Sequence, residues 1–125
     1  MDYTIIIEKA VEEIKKLEGV SKILLYGSVA KGVSNPHDVD IAILLNDLMK
    51  FMHLDLEGLP MDFMFKLGEI KRDLEKICDV LLHLVVYWQS EFDKGVVLDG
   101  GRRYSPDTLN QHSIIKFDSR LEERL

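Results

Sequence analysis

Apolar residues recur at helical spacing in two segments of the chain, residues 3–18 and residues 62–77. In both segments charged residues fill the opposite face, so the pattern predicts two amphipathic helices that each pack one side against a core. Asp62 is expected to cap the start of the second helix. The apolar positions are Ile7, Ala10, Val11, Ile14 and Leu17 in the first helix, and Phe63, Leu67, Ile70, Leu74 and Ile77 in the second.

Short apolar runs between and after these helices predict β-strands. The runs cover residues 22–26, 39–45, 78–86 and, as a short edge strand, 96–98. In the second run the side chains alternate, with Val39, Ile41 and Ile43 on one face and Asp38, Asp40, Ala42 and Leu44 on the other. Asn46 is expected to cap a helix that reaches about Leu56, and residues 90–94 are expected to form a short helix.

Strands that alternate with helices predict an α/β or α+β fold in a single domain of about residues 1–100. The less hydrophobic segment 101–125 is expected to be a C-terminal tail that is partly helical, because Ser105-Pro106-Asp107 resembles a helix start.

Composition narrows the class of protein. A net charge of −6 makes the chain a poor non-specific binder of nucleic acid, since phosphate contacts supply most of that affinity. Cys78 is the sole cysteine, which excludes an intramolecular disulfide and fits a reducing cytoplasm. The apolar runs are too short to cross a bilayer and no signal peptide is recognisable, so we expect a cytoplasmic protein.

A candidate phosphate site follows the first strand at Gly27-Ser28. Glycine lets an anion approach the backbone, and unpaired N–H groups at a helix start can bind phosphate oxygens. Ser28 adds a hydroxyl donor, and Lys31 is a candidate phosphate contact from the next helical turn. An ordinary turn at Gly27-Ser28 and a solvated Lys31 are the alternatives, and each residue taken alone favours them.

A candidate metal site opens the second strand. Asp38 and Asp40 are two residues apart, so their carboxylates share one strand face, where mutual repulsion and burial favour a bound cation. Mg²⁺ prefers oxygen ligands and commonly uses one or two carboxylates together with substrate phosphates. The competing interpretation makes Asp38 a loop cap and Asp40 an exposed strand end.

A third acid, Asp79, opens the apolar run of the third strand. If that strand lies beside the Asp40 strand, three carboxylates converge, which suits two metal ions. His83 shares the Asp79 face and either approaches the site or packs as an ordinary histidine. A charge at a strand end is the alternative for Asp79.

Taken together, Gly27-Ser28, a nine-residue gap and Asp38-Val39-Asp40 resemble the signature of nucleotidyltransferase domains of the DNA polymerase β superfamily. The likeness is greatest to the small stand-alone minimal nucleotidyltransferases, and it extends over about residues 3–100. It implies a mixed β-sheet flanked by helices. It also implies that Gly27 and Ser28 bind nucleotide phosphates, with Lys31 as a further candidate, and that Asp38, Asp40 and Asp79 are catalytic residues that hold one or two Mg²⁺ ions.

The resemblance further implies transfer of a nucleoside monophosphate, with ATP as the expected donor, to a hydroxyl group. Domains of this type often pair with a small helical HEPN-type protein in toxin–antitoxin systems, where AMP is moved to a partner tyrosine. An antitoxin-like protein adenylyltransferase is therefore the expected function. A non-catalytic antitoxin that only binds its partner, and an enzyme that modifies a small molecule, are the two alternatives. A homo-oligomer is compatible with each of them.

Overall fold

The computed structural model describes residues 3–27, 38–56, 58–94 and 113–122. The first helix, α1, spans Thr4–Lys15 and leads into strand β1, Val20–Tyr26. Strand β2 spans Asp38–Leu45 and is followed by a 3₁₀ helix at Asp47–Phe51. Helix α2 spans Met61–Cys78, strand β3 Leu81–Trp88 and helix α3 Gln89–Asp93. Strand β4, Ile114–Asp118, and the short helix α4, Ser119–Glu122, complete the described elements.

The four strands form one mixed sheet in the order β3-β2-β1-β4. Strand β1 pairs antiparallel with both β2 and β4, whereas β2 and β3 are parallel and are joined by the crossover helix α2. This mixed sheet with flanking helices confirms the predicted fold class.

The main core lies between α1, α2 and one face of the sheet. Val39, Ile41 and Ile43 point into it from β2, which confirms the predicted alternation. On the other face, Phe92 of α3 covers a smaller apolar cluster and contacts the ring of Tyr87 edge-on at 5.8 Å between centroids. Strand β2 is therefore covered on both sides, and seven of its eight residues are buried.

Several predicted boundaries differ from the structure. Asn46 does cap a helix, by accepting a hydrogen bond from the Leu48 amide, but this is a single 3₁₀ segment that stops at Phe51. The N-cap of α2 is Pro60 and not Asp62, which lies inside the first turn and pairs with Lys66 at 2.9 Å. The predicted strand at 96–98 and the helix start at Ser105 lie outside the described residues.

The segment 101–125 contributes to the sheet, which its sequence did not predict. Strand β4 lies along the free edge of β1, and Lys22 of β1 faces Asp118 of β4 at 3.7 Å. Asp118 also accepts a hydrogen bond from the Arg120 amide at the start of α4. Among the described helices, none is long and apolar enough to cross a membrane.

Candidate functional site

The site lies at one end of the sheet, where β1 finishes and both β2 and β3 begin. Because β1 and β2 are antiparallel, Tyr26 at the end of β1 is paired with Asp40 near the start of β2. Because β2 and β3 are parallel, Asp38 is level with Leu81 and Asp40 with His83. The chain topology thus brings the end of one strand and the beginnings of two others to the same end of the sheet.

Asp38, Asp40 and His83 bring potential metal-ligand atoms close together at this end of the sheet. One carboxylate oxygen from each aspartate and one imidazole nitrogen all lie within 4.8 Å of one another. His83 Nδ1 is 3.0 Å from Asp40 Oδ1, which is hydrogen-bonding distance. The predicted convergence of Asp38 and Asp40 on one strand face is therefore present in the structure.

Asp40 has an unusual environment for a carboxylate. It is 7% exposed, and among the described residues it is the one charged side chain that is buried. Burial raises the pKa of Asp40, the hydrogen bond from His83 lowers it, and the negative charge of Asp38 raises it again, so the net direction is upward. Both unfavourable contributions would be relieved by a cation held between the two aspartates.

Gly27 provides the space that Asp40 occupies. Its backbone is in the left-handed region, with φ of +75°, where residues with a Cβ are strained. A Cβ built on Gly27 would overlap Oδ2 of Asp40 and lie 2.9 Å from its Cγ. A glycine is thus required at this position for two separate reasons, backbone conformation and contact with the aspartate.

The donor set fits a divalent cation. Two carboxylates supply the oxygen ligands that hard cations prefer, and the imidazole supplies one nitrogen ligand. Asp38 is partly exposed and the His83 side chain is 44% exposed, so the group is only partly buried.

Asp79 lies in a different place from the one that the sequence predicted. The apolar run does not begin β3 at Cys78: helix α2 continues to Cys78, and β3 starts at Leu81. Asp79 is the exposed C-cap of α2, with a left-handed backbone at φ of +53°. The group of three ligand residues contains His83 and does not contain Asp79, so the role of Asp79 as a metal ligand stays a prediction.

Ser28 and Lys31 lie outside the described residues, so their predicted contacts with phosphate stay predictions. His83 is the residue that sequence reasoning undervalued. Its alternation along the strand placed it on the correct face, but its position level with Asp40 depends on the register between β2 and β3, which the sequence does not reveal.

A family model described as a nucleotidyltransferase domain matches residues 7–123. No curated protein sequence matches the chain significantly.

Solved structures of minimal nucleotidyltransferase antitoxins share the fold. The toxin–antitoxin MntA–HpeT has 15% sequence identity and a TM-score of 0.53, over 99% of this chain and 78% of that one. A toxin–antitoxin structure with AMP-PNP has 16% identity and a TM-score of 0.53, over 95% of this chain and 76% of that one. A structure of tri-AMPylated Shewanella oneidensis HEPN toxin in complex with MNT antitoxin has 14% identity and a TM-score of 0.54, over 98% and 78%.

Proposed function

Since the chain belongs to the nucleotidyltransferase-domain family, we propose that it is a Mg²⁺-dependent enzyme that moves AMP from ATP to a tyrosine hydroxyl of a HEPN-type partner protein. The observation that carries this proposal is the convergence of Asp38, Asp40 and His83 at the end of the sheet where Gly27 follows β1. Family membership alone does not require an intact site, whereas two carboxylates and an imidazole within 4.8 Å of one another form a ligand set that a bound cation would stabilise.

In the proposed reaction, the tyrosine oxygen attacks the α-phosphorus of ATP in line with the leaving group. A P–O bond forms to the tyrosine, the bond between the α-phosphorus and the bridging oxygen breaks, and pyrophosphate leaves; the hydroxyl proton passes to solvent or to a nearby base. Such transfers depend mainly on positioning and on neutralising charge. Mg²⁺, when bound, supplies that neutralisation and lowers the pKa of the attacking hydroxyl.

The chain's own residues position the reactants. Asp38 and Asp40 would hold the cation at the start of β2, a strand that is packed on both faces. Gly27 lets the phosphates approach the backbone, and Ser28 and Lys31 are proposed to contact them in the adjoining segment. For the third ligand, the family resemblance favours Asp79 and the geometry favours His83, and the metal experiment described below distinguishes the two.

Two of the similar structures support the choice of donor and acceptor. One contains AMP-PNP and another contains an AMPylated HEPN toxin. At 14–16% identity these likenesses establish the fold only, so ATP, AMP transfer and the HEPN-type acceptor are proposals for this chain. The net charge of −6 supports a protein acceptor over a nucleic acid.

The test is transfer of label from α-³²P-ATP to a co-purified or co-expressed helical partner in the presence of Mg²⁺. We expect labelled AMP on the partner, loss of labelling with EDTA, and loss of at least about 100-fold in rate for Asp38→Asn or Asp40→Asn. Asp73→Asn is the matched control, because it removes an equal charge from an exposed position on α2. The control should label its partner at the wild-type rate.

The two alternatives give different results in the same assay. Partner binding without any labelling would contradict the enzyme proposal and favour an antitoxin that acts by binding alone. Labelling of an added hydroxylated small molecule, with none on the protein partner, would contradict the proposed acceptor while preserving the proposed chemistry.

A further inference from the structure

An imidazole lies beside the aspartate pair. His83 lies level with Asp40 on the neighbouring parallel strand, and its Nδ1 is 3.0 Å from Asp40 Oδ1. Two ligands at about 2.1 Å from one ion and at right angles to each other are about 3.0 Å apart. The separation therefore suits two neighbouring ligands of a single ion as well as it suits a hydrogen bond.

A nitrogen ligand changes which ion the group prefers. Mg²⁺ strongly favours oxygen ligands and gains little from an imidazole, whereas first-row transition ions bind both imidazole and carboxylate. Exchanging a third carboxylate for a neutral imidazole also reduces the negative charge of the ligand set from three to two. Both effects weaken Mg²⁺ binding relative to Mn²⁺, Co²⁺ or Zn²⁺.

Asp79 is poorly placed to supply a third ligand. It precedes β3 by two residues, and Leu81 is already level with Asp38, so Asp79 lies beyond the end of the paired strands. Asp79 is the cap of α2: its backbone is left-handed, and its amide donates a hydrogen bond of 3.0 Å to the Glu75 carbonyl. His83, in contrast, lies within the paired part of β3 and points to the same face as Asp40.

We propose that His83 is the third metal ligand beside Asp38 and Asp40, and that the site binds a first-row transition ion more tightly than Mg²⁺. The inference rests on the proposed function for the presence of a metal, but its test needs neither a nucleotide nor an acceptor. Mg²⁺ supports the reaction when it is abundant, and the imidazole gives the transition ion its advantage.

The experiment uses the full-length protein stripped of metal, with Mn²⁺ as the probe. Electron paramagnetic resonance gives the fraction of Mn²⁺ bound, and competition with Mg²⁺ gives the ratio of the two affinities. Electron spin-echo envelope modulation of the bound Mn²⁺ detects a directly coordinated imidazole nitrogen. We expect that nitrogen signal in the wild-type protein, and an affinity for Mn²⁺ at least about tenfold above that for Mg²⁺.

Three variants separate the possible roles. His83→Ala should lose the nitrogen signal and weaken Mn²⁺ binding by about tenfold or more, since even outer-shell partners of a metal contribute that much. His83→Asp should restore tight binding with a preference moved towards Mg²⁺. Asp79→Asn should retain the wild-type affinities and the nitrogen signal.

Absence of the nitrogen signal from the wild-type protein would overturn the proposal, because His83 would then only hydrogen-bond to Asp40. An equal or greater loss of Mn²⁺ affinity in Asp79→Asn would overturn it in favour of the third carboxylate. Neither result would affect the proposed nucleotidyl transfer, which is measured separately with labelled ATP. Conversely, tight Mn²⁺ binding by a protein that transfers no AMP would leave the ligand assignment intact.

Discussion

The backbone of Gly27 lies directly against the carboxylate of Asp40, although Gly27 follows β1 and Asp40 belongs to β2. The close approach depends on the missing side chain, since a Cβ at position 27 would be 2.9 Å from Asp40 Cγ and 3.1 Å from its Cβ. Gly27, which adjoins the proposed phosphate site, therefore contacts Asp40, a proposed metal ligand. A substitution at either position is expected to displace the other residue.

Gly27→Ala is expected to destabilise the protein by about 1–2 kcal/mol through backbone strain, and to displace the Asp40 carboxylate as well. A displacement of about 1 Å at a reacting centre can lower the rate about 100-fold. Chemical denaturation and the labelled-ATP assay measure the two effects. Gly58→Ala is the matched control, because Gly58 has a similar φ of +80° but no neighbouring atom within 4 Å of a built Cβ. If both variants lose activity equally, contact with Asp40 is not the cause.

Asp40→Asn is expected to separate stability from metal binding. Without metal, the neutral amide avoids both the burial of a charge and repulsion from Asp38, so the variant should be at least as stable as the wild type. Metal at 100 times its dissociation constant should stabilise the wild-type protein by about 2.7 kcal/mol and the variant much less. Thermal unfolding with EDTA and with Mn²⁺ measures this. Equal stabilisation of both proteins by the ion would contradict a site at Asp40.

Asp47 should make stability depend on pH in the acid range. It accepts hydrogen bonds from the Ser90 amide at 3.0 Å and from the Ser90 hydroxyl at 2.6 Å, and so ties the 3₁₀ helix to the start of α3. Burial raises the pKa of Asp47, but the bonds from Ser90 and Lys50 outweigh it and hold that pKa below its usual value.

Because its folded-state pKa is lowered, Asp47 stabilises the protein above the usual aspartate pKa of about 4, and the contribution is lost as the pH falls below that value. Asp47→Asn should therefore cost about 1 kcal/mol at pH 7, a figure reduced for partial exposure, and almost nothing near pH 2. Urea unfolding at several pH values measures the difference. The same pH profile in Asp73→Asn would show that general charge, and not the Ser90 bonds, is responsible.

Asp118→Ala tests whether β4 is an integral strand. The variant removes the partner of Lys22, whose side chain is 15% exposed, and the acceptor for the Arg120 amide. We expect a loss of about 1 kcal/mol in the free energy of unfolding, since the partly buried Lys22 loses its counter-charge and the Arg120 amide loses its acceptor. Lys116→Ala, at an exposed position on the same strand, should cost less than about 0.5 kcal/mol. Equal costs would mean that β4 contributes little through this pair.

Helical periodicity predicted α1 and α2 because one face of each helix packs on the sheet. The apolar run after α2 gave the wrong start for β3, because a continuous apolar run contains no mark of where a helix ends. The mark was Asp79, a residue type that tolerates the left-handed backbone of a helix cap.

Strand β4 was missed for a related reason. Ile114 and Ile115 are both exposed at the edge of the sheet, so the segment lacks the alternation that indicates a half-buried strand. At the site, the spacing of Asp38 and Asp40 was sufficient to predict their shared face, since both lie on one strand. The approach of His83 depends on pairing between residues 43 positions apart, and no local pattern encodes that distance.

The proposed metal ligands lie at the start of β2, whereas the segment 46–61 follows its end. Asp38 begins the strand and Leu45 ends it, about 23 Å away, so the 3₁₀ helix and the loop that follows lie at the far end of the sheet from the acids. Leu56 in that loop is fully exposed, and Cys78 is the chain's sole cysteine. A single fluorophore on Leu56→Cys, in a Cys78→Ser background, would therefore label the protein at a position remote from the proposed metal ligands.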